Sequence, residues 1–504
     1  MTLEEILALP DNARKIYYLK RVRKTDNPNA LRLYNDWNPD KHEIMVDTVK
    51  YPKVKIVTEK EQRQFDPETG KTLTIPEKTK NVEPNRIALP LEQDIVNIHT
   101  AFTVGTEPKM DCEPDSTEKP LLDALRKVLA KNKIKYQNKR IVRSWLAEQE
   151  CCEYWYTVQD DGFWRSLGRK IKGLFGNSVP TTRLKSALWS PFRGDKLYPF
   201  FDTANNLVAM SREYVRREID DTETTCFMTV TADSVYQWES KTGWQEVKVF
   251  RHGFGKLPVL YCYRPQAYCE KVRTLRIRLE KLLSNYADCI DYHFFPILML
   301  FGDVENFSGE FKSRVVELTG QGANAQYLTW NQVPETVKYE AETLINQIYA
   351  LTNTPRISFD SLKGTGNALS GVAFDYVFLS THLAVENHAE VIGDFMQRRV
   401  NLLVSALASI NPSLAKAAET IDIDVEIQPY RLDNIEDNVR VAVSAVEGGV
   451  WSQKHGVLFA GNADRVEEEL AQIKKEKAST GKSLNNATEM QKQKTTASAQ
   501  SADN

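Results

Sequence analysis

No CxxC spacing occurs in this chain, and its seven cysteines are odd in number, with two adjacent at Cys151 and Cys152. That fits free thiols in a reducing cytoplasm better than a disulfide framework. Cys262, Cys269 and His252 match no familiar zinc spacing. Long apolar runs are missing too. The most apolar stretch, FFPILMLFG from Phe294 to Gly302, is far too short to span a bilayer, and MTLEEILALPDNARK lacks the apolar core of a secretory signal. A protein with no membrane partner, kept on the side where it was made, is the expectation. Neither charge sign dominates: 66 Lys and Arg stand against 68 Asp and Glu. That argues against a nucleic-acid binder working through one large basic face, though not against local patches.

Catalytic signatures are equally scarce. No HExxH, GxSxG or kinase-type set appears, the seven histidines are scattered, and no carboxylates stand at metal-cluster spacing. No catalytic residue, cofactor or metal is therefore expected. The one glycine-rich turn, GTGNALSGVAFDY from Gly364 to Tyr376, fails as a phosphate cradle. A Walker A turn needs a lysine after its last glycine, and a dinucleotide turn follows a strand. Here no lysine follows the glycines, and the preceding segment reads as a helix ending at Pro355. Asp375 in the first helical turn would repel an anion. A flexible link between two helices is the better reading.

At 504 residues the chain can hold two to four domains. Leu3–Lys24, Asn29–Trp37, Asn85–Val104 and Glu118–Glu148 read as helices, with a hairpin across DPETG. From Ala187 to Tyr263 six strand patterns follow at short spacing, an antiparallel meander. Val272, Leu275, Leu279, Leu282, Tyr286 and Ile290 then form one helical stripe bounded by Pro296. Short strands PILMLFGD, SRVVELTG and AQYLTW, with GQGAN as a loop, lead to a helix over Glu335–Thr352. A helix from Gly371 to Ile410 has no proline and would be roughly 60 Å long, with Gly393 the expected bend. The strand IDIDVEIQPY and two or three helices to Lys477 complete an α+β chain, and the polar remainder reads as a disordered tail.

Charge is patterned locally. Asp375, His382, Glu386, Glu390 and Asp394 recur at intervals of seven, four, four and four, with no Lys or Arg between Gly371 and Asp394. Such a line is ordinarily a solvated face; the sharper reading is a wall of a water-filled space, where negative charge would keep phosphate from sticking. Arg126–Arg143 contains eight basic residues and no acid, GRKIKGLFG adds more, and Lys271, Arg273, Arg276, Arg278 and Lys281 crowd the start of the first long helix. Each of these also reads first as a solvated face.

Four stretches carry a resemblance: NRIALPLEQDIVNIHTAFTVGTEP, LEKLLSNYADCIDYHFFPILMLFG, NALSGVAFDY and WSQKHGVLFAGNADRVEEELAQIKKE. In order and spacing they resemble the portal proteins of tailed bacteriophages, the SPP1-type (Gp6-like) group. They cover most of the chain from Asn85 to Glu476. Two places depart from the pattern. His455 stands where a threonine is usual, and YRPQAYCEK, before the first long helix, lacks an asparagine pair.

The resemblance implies a ring-forming portal-type fold. Residues 1–269 and 371–430 would be the wing, with its meander and long helix. Residues 270–295 and 335–355 would be the stem helices, 296–334 a strand-rich clip, 356–370 a tunnel loop, 431–477 a helical crown and 478–504 the tail. The implied assembly is a dodecamer at one capsid vertex, a channel for packaging and ejection of double-stranded DNA, read without regard to sequence. Lys363, Gly364, Gly366, Asn367 and Ser370 would face DNA in the tunnel loop; Asp375, His382, Glu386, Glu390 and Asp394 would line the channel. Glu310, Lys312, Arg314 and Gln321 would help dock the terminase large subunit and later the head-completion adaptor. Major capsid and scaffolding proteins are further implied partners, with the virion as final location and host cytoplasm during assembly. Two alternatives remain: a capsid or scaffold component without a channel, and a DNA-packaging enzyme, for which the chain shows neither P-loop nor metal cluster.

Overall fold

The computed structural model describes residues 1–21, 29–59, 62–66, 71–75, 78–159, 182–293, 297–307, 316–328, 334–356, 371–430, 435–460, 466 and 469–476. They divide into two compact units: Met1–Arg356 with Ser380–Tyr430, and Ile357–Leu379 with Arg431–Asn504. The structure mixes helices with antiparallel sheets, in keeping with the α+β expectation.

In the first unit, proline and backbone strain cut the predicted helices shorter. Leu3–Lys24 is two helices, α1 (Leu3–Leu7), capped by Thr2, and α2 (Asn12–Arg21), because Pro10 cannot continue the first. After α3 (Ala30–Trp37) and α4 (Glu43–Val46), strands β1 (Val54–Glu59) and β4 (Lys78–Val82) pair, and β2 (Gln62–Asp66) pairs with β3 (Lys71–Ile75) across the DPETG turn. Asn85–Val104 is helical only from Leu91, as α5 (Leu91–Val104), since Pro84 and Pro90 hold the preceding stretch extended. Strand β5 (Lys109–Asp111) follows. Glu118–Glu148 is also two helices, α6 (Lys119–Lys131) and α7 (Ile134–Glu148), broken where Lys133 adopts φ 52°.

The strands build two sheets. β6 (Glu150–Gln159) and β7 (Thr182–Trp189) join β13 (Val259–Tyr263) in a three-stranded sheet of order β13-β6-β7. The meander holds five strands rather than six: β8 (Lys196–Phe201), β9 (Leu207–Arg217), β10 (Glu223–Val230), β11 (Ser234–Ser240) and β12 (Trp244–Arg251). Alternation along these strands serves two cores at once. Leu197, Met210, Met228, Val230 and Val235 pack with Cys152, Tyr154 and Trp189 of the smaller sheet. Their neighbours Phe200, Ala209, Phe227 and Trp238 turn the other way and are covered by Ile6, Ile16 and Leu19.

Helix α8 (Arg273–His293) runs toward a hairpin of β14 (Ile297–Phe307) and β15 (Val316–Leu328), and α9 (Pro334–Leu351) returns beside it. GQGAN is not a loop but lies within β15, where the register slips between Phe301 and Asp303. Gly371–Ile410 is one helix, α10, with bounds as the sequence predicts. Its second half packs Ile392, Phe395, Met396 and Leu403 into the main core with Ile95, Leu125, Trp145 and Trp155. Each such side chain stabilises the fold by about 1.5–3 kcal/mol. Arg399, buried on the same helix, donates from Nε to Glu153 at 2.7 Å and from Nη1 to Asn138 at 2.7 Å. After α11 (Ala415–Thr420), the strand IDIDVEIQPY contributes only β16 (Asp424–Glu426), paired with β5.

In the second unit, α12 (Ile435–Glu447) and α13 (Gln453–Phe459) form a tight helical pair. Gly449 at φ 71° makes the turn, and any Cβ at Gly456 would sit 2.6 Å from Val446 Cγ2. The predicted tail falls outside the described residues.

Candidate functional site

Helices α8 and α9 are tied together at one end. Tyr268 Oη donates to the Thr352 carbonyl at 2.7 Å, bringing the end of α9 beside the start of α8. Leu279, Leu344 and Ile348 are buried there, whereas Ile290, Tyr339 and Leu351 are exposed. The extended stretch before α5 is a strap along α8. Backbone N–H groups of Asn85, Ile87 and Leu89 donate to Asp288 Oδ1, Ser284 Oγ and Glu280 Oε1 at 2.7, 2.9 and 2.9 Å. The match is geometric. Two extended residues advance about 6.6 Å, and four helical ones about 6 Å.

The basic cluster at the start of α8 is only partly a solvated face: Lys271, Arg278 and Lys281 are exposed, but Arg273 and Arg276 are drawn into ion pairs. Arg276 is 2% exposed; Nη2 donates to Asp36 Oδ1 at 2.6 Å, Nη1 to Glu280 Oε2 at 2.9 Å, and Nε faces Glu92. Arg273 donates to Asp36 Oδ2 at 2.8 Å and Glu43 Oε1 at 2.7 Å. His42 bridges the Asp36 carbonyl at 2.8 Å and Glu280 Oε1 at 2.6 Å. Burial raises the Glu92 pKa to about 7 despite the opposing charge of Arg276. Burial also pushes Glu280 up, but the His42 hydrogen bond and Arg276 outweigh it and the net shift is down. This cluster locks α3 and α4 against α8. Asp36, His42 and Glu43 lie more than 200 residues from their partners on α8, so no local spacing could announce it.

A second polar cluster sits where α5, the end of α9 and α10 meet. His99 is fully buried; its Nε2 donates to the Thr352 carbonyl at 2.9 Å, and its Nδ1 has no partner. The His388 ring lies 5.4 Å from His99, 5.3 Å from Tyr268 and 5.5 Å from Trp145. Burial lowers the His99 pKa to about 4 and that of His388 to about 3, the latter further disfavoured by His99. Thr103 donates to the His99 carbonyl at 2.7 Å and so accepts from His388 Nδ1 at 3.3 Å. Beside His388 opens a cleft of about 310 Å³, lined by Trp145, Arg264, Tyr268, Lys271, Asn353 and Asn387 among others. The sequence reading missed it. Only the departure at YRPQAYCEK, which supplies Arg264, Tyr268 and Lys271, pointed there.

The predicted site residues fare as follows. Lys363, Gly364, Gly366, Asn367 and Ser370 lie outside the described residues, as do Glu310, Lys312 and Arg314. Gln321 falls in β15 and Asp375 in α10, with their side chains outside the description. The acidic line is divided between the units: Asp375 belongs with 357–379, and the rest with the larger body. His382 is half-buried, edge-on to Phe102 at 5.7 Å, while Glu386, Glu390 and Asp394 are exposed. Asp394 pairs with Arg398 at 2.8 Å. Among the described residues no three of His, Cys, Asp and Glu converge as a metal site, and no helix is long and apolar enough to cross a membrane.

The sequence matches the family model described as phage portal protein, SPP1 Gp6-like, over residues 22–483. The chain belongs to that family. It is a family of structural proteins, not of enzymes. No curated protein matches the sequence. Among solved structures, a chain from the virion of a native gene transfer agent particle is similar at 10% identity, with a TM-score of 0.37. That likeness covers 74% of this portal-family chain and 88% of the other.

Proposed function

We propose that this chain forms a dodecameric portal ring at a unique capsid vertex, the channel through which the genome is packaged and ejected. Family membership supports a portal role, and one structural observation carries the ring in particular. The helix–hairpin–helix of α8, β14–β15 and α9 leaves Ile290, Tyr339 and Leu351 at 43%, 73% and 51% exposure on helices whose other faces are packed. Heterologous contacts that close into a ring would cover such faces without leaving open ends. In this reading α8 and α9 are the stem, and 296–334 the clip on which the terminase large subunit and then the head-completion adaptor dock. Arg356–Ser370 is the tunnel loop, Arg431–Lys477 the crown, and capsid and scaffolding proteins surround the wing.

Arg356 opens that loop, and Lys363, beside its glycines, is the candidate for touching the DNA backbone, a contact blind to sequence. Asp375, grouped with the loop, stays with the channel lining. The first experiment is negative-stain electron microscopy with mass by light scattering. Rings with a central hole and the mass of a dodecamer are expected; a monomer or dimer at every salt concentration overturns the reading. Given rings, Lys363→Glu is expected to leave their mass unchanged and reduce the DNA packaged per particle. Unchanged packaging would remove Lys363 from the DNA path.

A further inference from the structure

The cleft beside His388 holds two cations and lacks an acid. The Arg264 guanidinium lies 4.9 Å from the Trp145 ring centre and 5.2 Å from that of Tyr268, and its Nε and Nη1 are buried without a hydrogen-bond partner. Lys271 Nζ stands 5.0 Å from the centre of the Tyr268 ring. Among the described residues neither cation pairs with a carboxylate. Burial pulls the pKa of each down, and for Lys271 the charge of Arg264 adds to it. Lys271 stays exposed at the cleft's edge, whereas holding the Arg264 guanidinium out of water without an anion is costly, so the cleft is incomplete within one chain.

The missing charge is carried by the same helix on another face. Asn387 and His388 line the cleft, whereas Glu386 and Glu390 are exposed and make no ion pair among the described residues. At 100° per residue the two faces of α10 differ by about 130°, so one rigid helix cannot place its own acids in its own cleft. A second copy can. We propose that the carboxylates of Glu386 and Glu390 of one copy enter the Arg264–Lys271 cleft of the next.

Donor and acceptor are different patches, so the contact is head-to-tail, the kind that repeats around a ring. It deepens the proposed ring and rests on it. It also gives Glu386 and Glu390 a use other than lining the channel. Phosphate of a nucleic acid is the competing occupant, but a neighbour's α10 brings two carboxylates one helical turn apart to a cleft holding two cations.

The test is a charge exchange in the full chain, read by sedimentation velocity across protein and salt concentrations, with thermal unfolding to show each variant folded. Lys271→Glu, and separately Glu386→Lys with Glu390→Lys, should each raise the concentration for half-assembly about tenfold or more. Combining them in one chain should restore assembly to near the starting value. Arg264→Gln, which keeps a planar group on Trp145, should weaken assembly without touching surface charge at Lys271. Wild-type assembly by Lys271→Glu, or loss that the combined chain does not restore, overturns the contact. Lys271→Glu that assembles normally yet no longer binds a short DNA duplex overturns it in favour of phosphate. If the exchange pattern holds but the assemblies are not rings, the contact stands and the ring does not.

Discussion

Arg276→Ala should cost about 3–5 kcal/mol of stability, because the substitution strands buried acids rather than merely deleting a contact. Asp36, Glu92 and Glu280 all face that guanidinium, and Glu92 is already pushed to about 7 by burial. Without the cation, each carboxylate must protonate, move or take in water. The matched control is Arg278→Ala, two residues along the same helix. Its partner Glu340 lies at 2.7 Å, but the Arg278 side chain is 52% exposed, so the loss should stay within about 1 kcal/mol. Urea unfolding of the two variants decides the point. Equal, small losses would mean that Arg276 is hydrated in solution and that the cluster is not a structural lock. The Arg276 variant should also be less impaired at pH 5.5 than at pH 8, since acid neutralises the stranded groups.

Acid should attack the protein through His99 and His388. Their folded values, about 4 and about 3, lie below the ordinary 6.5, so each contributes stability that is present above 6.5 and lost as pH falls toward its folded value. Between pH 7 and pH 4 each loses about 3 kcal/mol. Glu92 and Glu148 act in the opposite sense. Burial raises both to about 7, so their contribution is intact below 4.5 and lost as pH rises through 7. From these four groups the wild-type profile should be nearly flat between 4.5 and 6.5, then fall steeply below. Removing one imidazole exposes the imbalance. His388→Leu should lose ground to wild type at pH 7, where the Thr103 bond is missed, and recover about 3 kcal/mol relative to it by pH 4. An equal difference at both pH values would mean that His388 is protonated without penalty, hence not buried as placed here.

Much of the architecture was legible in local pattern. The uninterrupted periodicity from Gly371 to Ile410, the stripe over Val272–Ile290 and the DPETG hairpin each depend on neighbours a few residues apart, and each appears where the pattern puts it. The colinear segments shared with the portal family were legible as well. The failures share another cause. ECCEYWYTVQ does not alternate visibly because β6 is buried on both faces, so its strand went unread. Lys133 takes a left-handed conformation that no glycine announces, and GQGAN enters a ladder that glycine usually weakens.

The sequence by itself determined the helices, the strand-rich segments, the family and the absence of a recognisable catalytic set, because these are written in spacing and composition along the chain. Tertiary structure alone decided which charges are solvated. Arg276 and Arg278 sit two residues apart in one basic run, yet one is enclosed by acids contributed from Asp36 and Glu92 and the other stands in water. Arg264 is set against Trp145 of α7 from the stretch between β13 and α8 that it shares with Tyr268. Burial and partner are long-range properties: they depend on which distant segments the fold brings together, and a charge reads the same in sequence whether it meets them or not.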